Sequence, residues 1–283
     1  MTGLDAASLV EFSEARAYAR LVEGGTPALR ERHGLSLHRI GSAYAFVASG
    51  LQDSLMLNRV IGLGLGEPAT DDSFRKIDAL YRAHGVRTYA LELSKAAAFG
   101  AGTSDLRQLQ FVPFKQTAMM YRSPHLLPAP DCQLAVQRVG PERAADFAEV
   151  CCTVFGFGDP YPELLRATFE NAAWQHWLAF DGRTPVAAAI LSHFDDQVSW
   201  IGWVSTLATH RGRGAQNAIT ASQLGACLDS GTRWVTLEAA TGTKTRPSPS
   251  LKNYSRLGWT HAYDRVIYLR RLPTDTTPAA AGA

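Results

Sequence analysis

The two halves of the chain share one order of apolar and polar segments. An apolar run over residues 55–61 leads through a polar loop into an amphipathic helical pattern over residues 72–83, and a run over residues 200–207 leads in the same way into a pattern over residues 215–228. Large side chains at helical spacing form the apolar face of each pattern: Phe74, Ile77, Leu80 and Tyr81 in the first, and Ile219, Leu224 and Cys227 in the second. Each half is therefore predicted to be a mixed α/β unit of about the same plan.

The residues repeat as well as the pattern. GVRTYALE begins at Gly85, and the similar GTRWVTLE begins 146 positions later at Gly231. LQFVPFKQTAMMYR from Leu109 aligns with LGWTHAYDRVIYLR, which begins 148 positions later at Leu257. Two blocks with nearly equal offsets indicate an internal duplication.

The duplication predicts two domains and a tail. The segment SPHLLPAPD, residues 123–131, carries three prolines that interrupt both helix and strand patterns, so it is the expected linker. We expect one domain over residues 1–128 and a second over residues 129–272. Residues 273–283 are low in complexity and in apolar bulk, so they are predicted to form a disordered tail.

Composition and charge narrow the class of protein. The chain has 283 residues, 46% of them hydrophobic and 19% charged, which is typical of a soluble protein with a full core. The net charge of +2 gives no general attraction to nucleic acid. No signal peptide and no apolar run of about 18 residues is visible, so we expect a cytoplasmic protein with no membrane partner. The cysteines lack the spacing of a metal or disulfide framework, and no metal is expected; they are Cys132, Cys151, Cys152 and Cys227.

A glycine-rich turn in the second half carries the clearest chemical signal. The strand WIGWVSTL is followed by ATHRGRGAQ and then by a predicted helix that begins at Ala215. Gly212 and Gly214 allow a tight turn whose N–H groups point toward one anion at the start of the helix, and Arg211 and Arg213 add positive charge. The alternative is a tight connection with solvated arginines. The spacing favours a site for a pyrophosphate.

The segment THRGRGAQ resembles the pyrophosphate loop of the Gcn5-related N-acetyltransferases (GNAT), written Gln/Arg-x-x-Gly-x-Gly/Ala. The strand before it, the strand TRWVTLE and the closing KNYSRLGW, which a strand hairpin is expected to follow, stand in that family's order. The resemblance implies two tandem copies of the family's fold, each a mixed, mostly antiparallel sheet flanked by helices, with an acetyl-CoA site in the second copy. It also implies that the strand with Ser205 and Thr206 splays from the strand over residues 234–239. By the motif, the cofactor-binding residues are Thr206, Arg211, Gly212, Arg213, Gly214 and Ala215. One departure is Gln216, where the family usually has Gly or Ala.

Two residues are candidates for acid and base. Tyr254 stands four residues before Gly258, which matches the family's Tyr-x-x-x-Gly pattern and implies that it protonates the departing thiolate. The alternative is a core aromatic on a helix opened by Ser248. Glu238 is the candidate base, although Glu92 occupies the same repeat position, so a structural role explains both. Water can serve as the base instead, and His193 is a weaker candidate.

The first copy is predicted to bind no CoA. Gly66, Glu67 and Pro68 fall opposite the glycine-rich turn of the second copy, where Glu67 would repel an anion and Pro68 has no N–H. We therefore expect this copy to be degenerate. Its expected role is to pack against the second copy as a pseudo-dimer within a monomer or a homodimer.

The acceptor region of the family falls on CTVFGFGDPYPELLRATFENAAWQHW. An aromatic stretch is more often core than pocket, but the expected acceptor side chains are Phe155, Phe157, Tyr161, Trp174 and Trp177, with Asp159 or Glu163 holding an amine. The predicted activity is that of an acyl-CoA-dependent N-acetyltransferase acting by direct transfer on a small amine. The alternatives are a CoA-binding regulatory or scaffold module without turnover, and a transferase of the same fold that uses a longer acyl-CoA or an aminoacyl-tRNA.

Overall fold

The computed structural model describes residues 6–128, 130–243 and 248–273. These residues form seven α-helices and eleven strands. The first half contains α1 (Ala6–Glu23), α2 (Pro27–His33), β1 (Leu35–Ile40), β2 (Ala43–Ala48), β3 (Arg59–Ile61), α3 (Asp71–Ala83), β4 (Thr88–Leu93) and β5 (Phe111–Arg122). The second half contains β6 (Ala135–Val139), α4 (Ala144–Phe155), α5 (Tyr161–Ala167), β7 (Trp174–Asp181), β8 (Thr184–Phe194), β9 (Val198–Thr206), α6 (Ala215–Asp229), β10 (Trp234–Ala240), α7 (Pro249–Arg256) and β11 (Thr260–Arg271).

All eleven strands belong to one sheet in the order β1-β2-β3-β4-β11-β5-β10-β9-β8-β7-β6. Its ladders are antiparallel except for two parallel pairs, β3 with β4 and β9 with β10. The last strand of each half crosses over: β11 pairs with β4 and β5, and β5 pairs with β10. The described residues are therefore an α+β structure with a single mixed sheet, where the repeat predicted a distinct sheet for each half.

The middle of this sheet is symmetric about the pair formed by Thr117 and Arg265. These two residues occupy the same position in the two repeats, 148 apart, and they face each other across β5 and β11. Glu92 of β4 pairs with β11, and Glu238 of β10, its counterpart 146 positions later, pairs with β5 at the matching register. An antiparallel pair of equivalent strands has this two-fold arrangement because each strand presents the same edge to the other.

Helices cover both faces of the sheet. On one face α1, α2, α4 and α5 share a core that includes Phe147 and Trp200. On the other face α6 and α7 pack over the second half, and α3 packs over the first. Local sequence explains several boundaries: Thr70 and Ser73 form a capping box at the start of α3, and Ser248 caps α7 as its sequence predicts.

Two expected strands differ from the structure. Only the last part of the apolar run over residues 55–61 is a strand, because residues 54–58 form turns whose N–H groups bond to local carbonyls. The hairpin that the family resemblance places after KNYSRLGW is a single long strand, since β11 finds both of its partners in the first half.

The predicted linker and the predicted tail lie at the domain boundaries. The described part of the linker over residues 123–131 contains no helix or strand. The predicted disordered tail lies, from residue 274 on, outside the described residues. Within the described ranges, no helix combines the length and the apolar character needed to cross a bilayer.

Candidate active site

The parallel strands β9 and β10 separate partway along their length. Their ladder joins residues 198–201 to residues 234–237 and then stops, although both strands continue. Just beyond this point β9 contains a bulge, in which Trp203 and Val204 together stand opposite Ala189 of β8. Trp203 has a φ of 53°, which is rare for a residue with a large side chain. The bulge helps to turn β9 away from β10, so the two strands diverge beyond residues 201 and 237.

The turn that follows β9 leaves a series of backbone donors free. Gly212 and Gly214 have φ values of 80° and 82°, which favour glycine. Gly214 is the N-cap of α6 and provides no side-chain cap. Among the described residues, no acceptor receives the backbone N–H of any residue from 211 to 217. Unpaired N–H groups at a helix N-terminus are the donors that bind phosphate groups in proteins.

The two arginines of this turn are both engaged by the protein. Arg211 donates from Nε to the carbonyl oxygen of Thr206, 3.3 Å away. Arg213 makes two contacts with the carboxylate of Asp181, with Nη1–Oδ2 and Nη2–Oδ1 distances of 2.6 and 3.4 Å, and His210 lies 3.2 Å from the same carboxylate. The hydrogen bond from Arg213 holds the pKa of Asp181 below its ordinary value. Asp181 thus balances the charge of Arg213 in this structure.

Gln216 points away from the turn and joins α6 to α7. Its Nε2 donates to Ser250 at 3.0 Å, and its Oε1 accepts from Asn253 at 2.8 Å. Its backbone N–H has no acceptor among the described residues, and its side chain is held by α7. The departure from the family's motif therefore stabilises the packing of α7 against the start of α6.

Tyr254 is buried beneath α7 beside Gln216 and Thr220 of α6. Burial raises the pKa of its phenol from 10.0 to about 12, and hydrogen bonding to these neighbours partly opposes the rise. In water a phenol and a thiol differ by about 1.5 pKa units, and the raised pKa makes the phenol of Tyr254 a weaker acid than it is in water. The phenol is therefore protonated at neutral pH and can donate a hydrogen bond.

Glu238 is the first residue of β10 beyond the end of its ladder with β9. Its side chain is 28% exposed, and its carboxylate lies 2.7 Å from Arg265. Arg265 is fully buried and also pairs with Glu11, Glu14 and Glu92, whose side chains are at most 4% exposed. Glu238 is therefore the member of this group of carboxylates that solvent can reach.

Arg265 and its four glutamates lie on the symmetry axis of the sheet under α1. A second guanidinium, that of Arg59, contacts Glu92 at 2.7 Å and lies over the ring of Tyr18 at 3.9 Å. Carboxylate oxygens of Glu14, Glu92 and Glu238 lie within 4.8 Å of one another, close enough for a cation site, and Arg265 is the cation among them. Glu92 and Glu238, equivalent in the repeat, thus share one counterion.

Three of the five aromatic residues expected near an acceptor come together. Phe155, Phe157 and Tyr161 surround the ring of Trp203, with centroid distances of 5.7, 6.0 and 6.1 Å. Phe155 is 41% exposed, so part of this group faces solvent next to the bulge. We call these four side chains the aromatic cluster.

The other residues expected around an acceptor lie elsewhere or face away. Trp174 packs in the core beside Trp200, and Trp177 packs on the opposite face of the sheet. Glu163 contacts Thr26 and Arg32 of the first half, and Asp159 is exposed.

Solved structures with the same architecture complete this description. A Gcn5-related N-acetyltransferase from Sphaerobacter thermophilus has 18% sequence identity and a TM-score of 0.61, with 96% of this chain and 95% of that chain covered. One from Kribbella flavida has 17% identity and the same TM-score of 0.61, covering 95% and 96%. A tandem GNAT protein from the clavulanic acid biosynthesis pathway has 14% identity and a TM-score of 0.52 over 77% and 76% of the two chains. No protein-family model and no curated protein matches the sequence.

The fold is that of the Gcn5-related N-acetyltransferases. In the first half, the residues that align with the turn after β9 are engaged by the protein. Gly66 donates its N–H to Ser42 at 3.2 Å, Thr70 caps α3, and Asp71 and Asp72 place negative charge in the first turn of that helix. The N–H of Gly66 therefore already has an acceptor in this structure.

Two of the remaining candidate residues lie away from the turn, and two residues near it were not predicted. Ser205 is buried and turns its hydroxyl toward Cys151, and His193 bonds to Ser199 at the far end of β9, so neither faces the turn. Sequence reasoning missed Asp181 and the bulge at Trp203. Asp181 and Gly182 form a DG pair, which is typical of a hairpin turn. This pattern predicts the local turn but not the contact between Asp181 and Arg213.

Proposed function

We propose that this protein transfers an acetyl group from acetyl-CoA directly to the amine of a small acceptor. One observation supports this most strongly: β9 separates from β10 at a bulge and ends in a turn with free N–H groups before α6. A diphosphate at the turn would place the remainder of the carrier along β9, where the cleft opens.

The proposed binding residues are those of the turn and the end of β9. The N–H groups of Gly212, Arg213, Gly214 and Ala215 donate to the diphosphate, and Thr206 contacts the pantetheine arm. The guanidinium of Arg213 exchanges part of its contact with Asp181 for a phosphate oxygen, and Arg211 adds a second charge. Charge-assisted hydrogen bonds of this kind are about twice as strong as neutral ones.

The proposed chemistry is a direct transfer assisted by two residues. Glu238 accepts a proton from the acceptor's ammonium group, and the neutral amine then attacks the thioester carbonyl carbon to form a C–N bond. The C–S bond breaks as the intermediate collapses, and Tyr254 donates a hydrogen bond and finally a proton to the thiolate sulfur. The nitrogen loses its second proton in the same collapse, and this proton returns through solvent to the phenolate of Tyr254. The aromatic cluster beside Trp203 supplies apolar surface for the acceptor.

The proposed organisation assigns these roles to one half of the chain. Residues 129–272 form the acyl-CoA-binding copy of the fold, and residues 1–128 form a degenerate copy that supports it as a pseudo-dimer. The symmetric register around Thr117 and Arg265 supports this assignment.

The binding proposal is tested by thermal unfolding of the full chain with acetyl-CoA. A ligand present at 100 times its dissociation constant stabilises the folded state by about 2.7 kcal/mol, so a clear rise in Tm is expected. Arg211→Ala with Arg213→Ala should abolish most of that rise. The control variant, Arg233→Ala with Arg256→Ala, removes the same charge from exposed positions outside the turn. It should show the same rise in Tm as the wild type.

The outcomes separate the candidate functions. No rise in Tm for the wild type, or an equal rise in the Arg211/Arg213 variant, would contradict the CoA site. A normal rise without release of free thiol in the presence of any amine would favour a CoA-binding regulatory module instead. One observation favours this second function: the carboxylate of Glu238, the candidate base, is already paired with Arg265.

A further inference from the structure

Helix α7 covers part of the sheet in the second half, and the first half has no counterpart to it. Leu251, Leu257 and Tyr254, in and just after α7, pack over Ala118, Met120 and Ala239 of the sheet. Residues 94–110, all of which the structure describes, connect β4 to β5 through turns and form no helix. The repeat therefore predicts a stretch of uncovered sheet in the first half.

The equivalent sheet positions do line an open cavity. By the offsets of the repeat, Ala239, Ala118 and Met120 correspond to Leu93, Val266 and Tyr268. These three residues line a cavity of about 730 Å³, which we call the vacant-helix pocket. Its volume lies within the range of about 300–1,000 Å³ that is usual for small-molecule sites.

The apolar part of this pocket is largely aromatic. Phe99, Phe111 and Tyr268 all line it, and Phe99 is 43% exposed, so its ring is available to a ligand. Aromatic side chains stack on flat ring systems and bury a large area at small entropic cost. A ligand with a flat apolar body therefore suits these walls.

The charged part of the pocket combines two cations with two carboxylates. Lys95 and Arg107 line it, and in the described part of the chain neither side chain has an acidic partner. Two carboxylates also line it, and both contact groups of the protein. Asp105 accepts from the backbone N–H of Arg107 at 2.7 Å, and Asp264 contacts His261 at 2.9 Å. Both carboxylates keep their charge but are held by groups of the protein, so Lys95 and Arg107 are the charged side chains left to pair with an acidic group of a ligand.

We propose that the vacant-helix pocket of the first half binds a small aromatic anion, distinct from the CoA substrate of the second half. Its rings lie on Phe99, Phe111 and Tyr268, and its carboxylate or sulfonate group pairs with Lys95 and Arg107. The site is separate from the turn before α6, so this inference does not depend on the proposed acetyl transfer.

The probe for this pocket is 8-anilinonaphthalene-1-sulfonate, an aromatic sulfonate that fluoresces when bound. Titration of the full chain should give saturable binding. Lys95→Ala with Arg107→Ala should weaken that binding by about tenfold or more, because two charge-assisted contacts are lost. Val266→Trp, which fills the pocket, should abolish it while the circular dichroism spectrum remains that of the wild type.

The Arg211→Ala/Arg213→Ala variant is the matched control, since it removes the same charge from the other site. It should bind the probe like the wild type, whether or not the wild type binds acetyl-CoA. Absence of saturable binding to the wild type, equal affinity in the Lys95/Arg107 variant, or displacement of the probe by acetyl-CoA would each overturn the proposal.

Discussion

Glu238 combines two properties that rarely occur together in one side chain. It is held by a buried guanidinium, that of Arg265, yet it remains 28% exposed at the point where β9 and β10 separate. If it accepts the proton of the amine, Glu238→Gln should lower kcat by about 10²- to 10⁴-fold and leave the KM for acetyl-CoA close to the wild-type value. Steady-state kinetics with a thiol reagent would measure both.

The chain supplies its own control for this residue. Glu92 occupies the equivalent repeat position and pairs with the same Arg265, but its side chain is only 4% exposed. Glu92→Gln should cost about 3–5 kcal/mol of stability, because it removes the carboxylate that lies 2.7 Å from the buried guanidinium of Arg59, while kcat per folded molecule stays near the wild-type value. Parallel losses of stability and activity in both variants would assign Glu238 a structural role only.

At the scale of elements, α1 carries an unusual group of buried acids. Glu11 is fully buried, accepts a hydrogen bond from Tyr263, and lies 3.3 Å from Arg265, with Glu14 and Glu92 also nearby. Burial raises its pKa from 4.5 to about 7, although Arg265 and the Tyr263 hydrogen bond oppose the rise. The folded protein therefore holds this proton more tightly than the unfolded chain does.

This shift predicts a pH-dependent stability with a definite sign. The contribution of Glu11 is fully present below pH 4.5, the unfolded value, and is lost as the pH rises through about 7. Denaturant unfolding of Glu11→Gln should lose that part of the pH dependence, so the stability difference from the wild type changes by up to about 3 kcal/mol between these limits. Glu23→Gln, on the exposed end of α1, is the control and should leave the profile unchanged. A wild-type profile in Glu11→Gln would contradict the raised pKa.

The elements differ in how well sequence reasoning predicted them. Helices α3, α6 and α7 begin within one residue of the predicted positions, because their caps and apolar faces are local features. The turn over residues 211–214 was predicted for the same reason. The pairing of β11 with first-half strands was not, since register between distant segments depends on both halves at once.

The charged group under α1 was missed for a related physical reason. Glu11 and Glu14 are ordinary polar positions in a helical pattern, and Arg265 aligns with Thr117 in the repeat, so no local feature marks them. Only the fold brings them together, because the axis of the sheet places Arg265 beneath α1. A single sequence indicates which segments are equivalent, but it does not indicate which side chains meet at the axis between them.

At the scale of the whole molecule, the halves are interleaved rather than merely adjacent. Strand β10 has β5 of the first half as a neighbour, and β11 lies between two first-half strands. Residues 129–283 expressed alone would leave these edges unpaired and would remove Glu11, Glu14 and Glu92 from the buried Arg265. The loss of three of the four carboxylate partners of Arg265 and the exposed strand edges both disfavour a stable monomer.

We therefore expect residues 129–283 alone to aggregate or to lack a cooperative unfolding transition, and coexpression with residues 1–128 to restore a folded complex. Size-exclusion chromatography and thermal circular dichroism would measure this. We expect the separate fragment to restore the sheet because β10 and β11 need β4 and β5 as neighbours. They do not need the covalent linker over residues 123–131. A folded, monomeric 129–283 fragment with a normal acetyl-CoA response would instead mean that the second half is self-sufficient, and the first half would then need a role other than support.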